Sequence, residues 1–200
     1  MLKGCQVGDY IKFGTYEQDN NEENGTEEIE WLVLDIQDGK ALVISKHSLF
    51  YWRYYRTMTY VTWERSDVRE RLNSVFSESA FNTAESMMIL TTTVSADANP
   101  NYNTSPGAET QDKVFLLSIV EANKYFHSDS ERICTPTEYA KKWIEDNHTY
   151  GYYHFWWLRS SGKWQDDATY VNTSGSINTE GNNMGYPAAV RPAMWIDLNA

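Results

Sequence analysis

Asp38-Gly39 stands between two runs rich in Val, Ile and Leu, residues 31–36 and 40–45. Asp-Gly tolerates positive φ at both positions, which a type I′ turn requires, and the twist of that turn matches paired strands. An antiparallel hairpin is therefore expected near the start of the chain. The elements around it read as short. Residues 7–13, between Gly8 and Gly14, read as a strand, as do 89–94, the wholly apolar 114–117, 168–172 and the closing run 188–198. Helical signals alternate with them. Ser66 is a fitting N-cap for a helix over 66–76 with Leu72, Val75 and Phe76 on one face, and 78–88 reads as a second helix. Ser118 with Glu121 three residues on is a capping box for a helix reaching Phe126. Thr135-Pro136-Thr137-Glu138 opens another, with Pro136 at its first position. Neither a repeat nor a persuasive linker divides the chain. The expectation is one α+β domain over 1–200, short helices packed around small antiparallel sheets. Residues 1–149 form a scaffold portion and 150–200 a binding portion. A chain of this length buries roughly 70% of its unfolded surface, so it needs no metal or disulfide to fold.

The charge balance narrows the partners. Net charge is −11, which disfavours nonspecific contact with nucleic acid or an anionic membrane. One stretch runs the other way: Arg53, Arg56, Arg65, Arg69 and Arg71 interleave with Tyr51, Trp52, Tyr54, Tyr55, Tyr60 and Trp63. That pattern fits single-strand binding, but the excess of carboxylates favours ion pairing within the fold. Residues 17–30 hold seven acids and no base, with Asn24-Gly25 as a turn signal. They read as an exposed hairpin loop, because the regular spacing of a calcium loop is missing. No metal or cofactor is expected. Cys5 and Cys134 lie outside any CxxC, and their pairing is open. No apolar run reaches membrane-spanning length and residues 1–10 lack a secretory h-region. No compartment follows; a place on a cell surface or phage particle would need a leader or carrier.

From Tyr150 the character changes. Residues 150–157 hold six aromatics and His154, and 159–187 are mainly Ser, Thr, Gly, Asn, Asp and Tyr, with turn signals at Ser174-Gly175 and Glu180-Gly181. Rigid aromatics among adaptable polar neighbours resemble the composition of a paratope. The candidate ligand-binding residues are Tyr152, Tyr153, His154, Trp164, Gln165, Asp166, Asp167, Tyr170, Asn172, Asn178, Asn182, Asn183 and Tyr186. Trp156, Trp157, Arg159, Arg191 and Trp195 read as the structural frame. Strand alternation puts Trp157 and Arg159 on one face and Trp156 and Leu158 on the other, so the strand is expected to be covered on both sides. Arg191, among apolar neighbours, calls for a carboxylate or carbonyl groups to hold its charge.

The segments Phe155-Trp156-Trp157-Leu158-Arg159-Ser160-Ser161-Gly162 and Ala189-Val190-Arg191-Pro192-Ala193-Met194-Trp195 resemble the WWLRS-x-G segment and VRPA ending of an uncharacterised family of bacterial domains common in gut Firmicutes. Residues 7–14, 30–34 and 112–118 look like that family too, so the resemblance spans nearly the whole chain. It implies no activity. At the level of fold, the ending resembles the C-type lectin-like fold, in the version shared by formylglycine-generating enzymes and the variable proteins of diversity-generating retroelements. That resemblance implies a Trp-rich strand and a final Arg-bearing strand framing an irregular ligand-display segment, by analogy of fold alone.

Catalytic patterns are sparse. His47, His127, His148 and His154 lie in no zinc spacing, and GxSxG, a phosphate loop and a dinucleotide fingerprint are absent. Cys134 reads as a small core residue. The last third has no Cys, a departure from the paired cysteines of formylglycine-generating enzymes. The expected function is recognition of a protein or carbohydrate ligand. The alternatives are an enzyme using Asp166, Asp167 and His154 in a cleft, or a structural module of a larger surface protein.

Overall fold

The computed structural model describes residues 2, 4–57, 59–147 and 155–200. Asp38 and Gly39 take φ of 50° and 74°, so the expected hairpin forms between β2 (Glu27–Gln37) and β3 (Lys40–Ser45). Its strands pair from Trp31↔Ser45 to Gln37↔Lys40. β1 (Tyr10–Tyr16) begins three residues later than the sequence reading, because Asp9 accepts a hydrogen bond from the Gln6 N–H and closes a turn there.

β4 (Phe50–Arg53) follows, and then a helical stretch capped by Ser66, whose hydroxyl accepts from the Arg69 N–H. It comprises α1 (Asp67–Arg71), a π-helical turn (Leu72–Phe76) and α2 (Ser77–Ala80). Leu72 and Phe76 are buried, but Val75 is exposed. Pairing of i with i+5 widens the turn and swings Val75 off the face it would share in an α-helix. The helix expected over 78–88 is split. Phe81 is extended, and Asn82 opens α3 (Thr83–Met88) through a capping box with Glu85. The strand expected over 89–94 is reduced to β5 (Thr92–Val94), which pairs with β6 (Thr110–Asp112).

β7 (Val114–Phe115) is buried as expected, and the side chain of Asn73 clamps it by accepting from the Val114 N–H and donating to the Val114 carbonyl. Ser118 and Glu121 form the anticipated capping box at α4 (Ile119–Tyr125), followed by α5 (Asp129–Arg132) and α6 (Glu138–Asp146). Thr137, not Thr135, caps α6, so Pro136 lies before the cap, where it bridges Ser48. Among the described residues no helix is long and apolar enough to cross a membrane.

The final third is more regular than expected: β8 (Trp156–Ser161), β9 (Asp167–Val171), β10 (Ile177–Asn183), β11 (Pro187–Val190) and β12 (Ala193–Asp197) occupy most of it. Two five-stranded sheets result, ordered β1-β2-β3-β12-β7 and β10-β9-β8-β11-β4. The expectation of antiparallel sheets fails at one pair, β8 with β11, which run parallel through Ala189↔Trp156. The run 188–198 is two strands, not one. β11 belongs to the second sheet and β12 to the first, and Arg191-Pro192 is the crossing point. Pro192 has no N–H for a ladder, while its carbonyl accepts from Ser45 and starts the new pairing. The domain is mixed α and β, with small sheets and few short helices.

Candidate functional site

The second sheet sorts the candidate residues by position. β8 lies inside it and is buried along its whole length, so both of its faces are covered. Trp156 and Trp157 donate their indole N–H groups to the carbonyls of Arg132 and Trp52 at 3.1 Å each. Arg159 is buried, paired with Asp97 at 3.1 Å and with Glu121, and it also donates to the carbonyls of Ser95 and Leu116. Trp195 is half-buried on β12.

The chain leaves β8 after Ser161 and re-enters at Asp167, and it leaves β10 after Asn183 to enter β11 at Pro187. Since β9 and β10 run antiparallel, those two turns lie at the same end of the sheet and the 172–176 turn lies at the other. β4 ends with Arg53 opposite Pro187, and hydrogen bonds rather than strand direction bring loop 54–62 to the first end. Hydrogen bonds bind these loops together. Tyr55 N–H donates to the Met184 carbonyl and Met184 N–H to the Asp166 carbonyl. Gln165 accepts from the Ser105 N–H at 2.8 Å and donates to the Ser105 carbonyl and the Ser161 hydroxyl, anchoring loop 100–108 to the same place. On this fixed frame Trp164 is 64% exposed and Tyr186 47%, and Tyr60, in the loop leaving β4, is 79% exposed.

Seven predicted residues therefore meet at one end: Trp164, Gln165, Asp166, Asp167, Asn182, Asn183 and Tyr186. Asn182 and Asn183 use their side-chain oxygens locally, accepting from the N–H groups of Asn183 and Gly185. The Asp167 carboxyl is pushed up from its usual range by burial and by the neighbouring Asp166. Three residues are not brought there. Asn172 sits at the opposite end and shapes its turn by accepting from Ser174. That turn lies on α5: at Gly175, with φ +85°, an added Cβ would come within 1.7 Å of the Asp129 carbonyl. Tyr170 and Asn178 pair across strands, joined by a 3.0 Å hydrogen bond, and the Tyr170 ring packs 4.2 Å from that of Phe155. Tyr152, Tyr153 and His154 lie outside the described residues. Glu180-Gly181 is not a turn between strands but a bulge within β10, where Gly181 adopts φ +88° beneath the Ala168 carbonyl.

Tyr60 and loop 100–108 were missed at this end. The aromatic density of 51–63 was visible, but its location depends on β4 joining the second sheet. Its arginines largely pair: Arg56 with Asp67, Arg65 with Glu64 and Arg69 with Asp112. Arg71 lies 4.1 Å over the Trp52 ring, and with Arg53 and Arg56 these two line a cleft of about 380 Å³. Elsewhere, the acidic 17–26 loop brings the carboxylates of Glu17, Asp19 and Glu27 together. Glu27 accepts there from the Gln18 and Asp19 N–H groups, so the cluster organises its own loop. Cys5 and Cys134 are both free, and burial pushes the Cys134 thiol up.

The fold and its loop-bearing end define a mixed α and β domain with exposed aromatics on a braced frame. The chain belongs to a family described as a domain of unknown function (DUF6273), whose model matches residues 38–198. No curated protein and no solved structure matches the chain.

Proposed function

We propose that the domain is a recognition module of the C-type lectin-like kind, which binds a protein or carbohydrate ligand at the loop-bearing end of its second sheet. The observation that carries the reading is Trp164, an exposed indole on a turn braced by Gln165, which accepts one hydrogen bond and donates two. A single exposed apolar residue is ordinary. Three exposed aromatics on loops gathered at one sheet end, with polar groups between them, match the economy of a paratope: large contact area at little ordering entropy. Retroelement diversification is one version of this reading. Under it, sequencing of the gene across a population finds substitutions concentrated at adenines in the codons for Tyr150 to Tyr186; an invariant segment removes that version alone.

The test of the module is the double variant Trp164→Ala/Tyr186→Ala, screened with the parent chain on a glycan array and on intact cells. Binding is expected to fall by about tenfold or more, with the melting temperature unchanged. Unfolding of the variant would place both residues in the core and end the reading, and so would full retention of binding. A second reading, an enzyme acting through Asp166 and Asp167 with His154, rests on two adjacent, half-buried carboxylates at the loop-bearing end. It requires turnover that Asp167→Asn abolishes.

A further inference from the structure

Three arginines of the chain are buried: Arg132, Arg159 and Arg191. Arg132 pairs with Asp129, and Arg159 with Asp97 and Glu121. Arg191, only 3% exposed, has no carboxylate within 4 Å among the described residues. Carboxylates are not scarce in a chain with 28 acids against 17 bases, so the lack is local. Its Nε donates to the Ser45 carbonyl at 2.8 Å and its Nη1 to the Arg132 carbonyl at 3.5 Å. The faces of Phe126 and Trp156, 5.4 and 5.2 Å away, offset part of the charge. Nη2 donates to no described residue.

Arg191 lines a pocket of about 560 Å³, a volume suited to a small ligand. None of the residues at the loop-bearing end lines it. Its walls are half apolar, from Leu32, Val33, Leu34 and Ile133, and half polar, from Lys46, His47 and His127. The one acid among the lining residues, Glu131, is engaged by the His127 N–H and the Ser128 hydroxyl. A guanidinium taken out of water without a counter-ion is costly, and carbonyl dipoles and ring faces answer it only in part. An anionic oxygen entering the pocket would meet a donor already oriented by the bonds of Nε and Nη1 and spoken for by no described residue, to which it can make a charge-assisted hydrogen bond.

We propose that this pocket binds a small organic carboxylate with an apolar body, its charged end held by Arg191 and its body against Leu32, Leu34 and Ile133. The test uses the full chain with octanoate, octanamide and inorganic phosphate as probes, by titration calorimetry and melting temperature. Octanoate is expected to bind about tenfold or more tightly than octanamide, the worth of one charge-assisted hydrogen bond, and to raise the melting temperature. Arg191→Met is expected to bring octanoate down to the level of octanamide. Because Arg191 is buried, Ile133→Glu serves as a second variant. It sets a carboxylate at an exposed position of the wall, and it is expected to weaken octanoate about tenfold while sparing octanamide. Equal affinity for the two probes, no binding by either, or indifference of octanoate to Ile133→Glu overturns the proposal. Phosphate binding as tightly as octanoate overturns the assignment to organic carboxylates.

Discussion

Arg159 and Arg191 set two solutions to the same problem side by side. Each is a cation removed from water in the C-terminal third. Around Arg159 the fold supplies two carboxylates, from loop 95–108 and from the first turn of α4, so three separate segments meet at one guanidinium. Around Arg191 it supplies two carbonyls and two ring faces. The first arrangement is closed: both carboxylates are placed by the fold, and removing Arg159 leaves the two of them without their cation. The second is open on the side of the pocket. Burial alone therefore does not say whether a charge serves the fold or a ligand; the inventory of its partners does.

The comparison can be broken at its strong end first. Arg159→Met strands Asp97 and Glu121 near a covered strand, and urea denaturation is expected to register a loss of about 3–5 kcal/mol. Arg191→Met removes two hydrogen bonds to carbonyls but strands no carboxylate. Its expected cost is smaller, about 1–2 kcal/mol in the same assay. Equal losses for the two variants would erase the distinction. The smallest effect concerns a charge of opposite sign. Asp167 has no cation within 4 Å among the described residues and has Asp166 beside it. Its carboxyl is held above the ordinary 3.8, so the folded state favours the protonated form. Ionisation thus costs stability at neutral pH, and the cost disappears as pH falls below the unfolded value. Asp167→Asn should stabilise the chain slightly at pH 7, by less than about 1 kcal/mol under solvent screening, and by nothing below the ordinary carboxyl value of 3.8. A gain that persists in acid would show that the carboxylate's charge is not the cause.

What could be read in the sequence was local. Asp38-Gly39, the Ser118–Glu121 box and the doubly covered β8 need only neighbours in the chain to specify them. The split of 188–198 could not be read this way, because β11 and β12 have the same apolar character and differ only in which distant strands receive them. Similarly, the Ser, Asn and Gly content of 159–187 does not distinguish a ligand surface from turn chemistry. Asn172 and Asn183 use their side chains to shape turns, whereas Trp164 stands free of the core. Tyr60 joins the same end only through the hydrogen bond of Tyr55 to Met184, a contact spanning more than a hundred residues.

The place of β12 has a consequence for the order of assembly. It lies between β3 and β7, so the first sheet lacks an interior strand until the last strand of the domain arrives. On a ribosome, the early hairpin would emerge with the open edge of β3 unpaired while the residues up to Asp197 are still being made. Such topologies fold slowly and late, since distant loop closure precedes the gain from pairing. Completion of this domain is thus tied to its final strand: a nascent chain stalled before Ala193 holds every strand of the second sheet but an unfinished first sheet, which a few more residues close and join to the second.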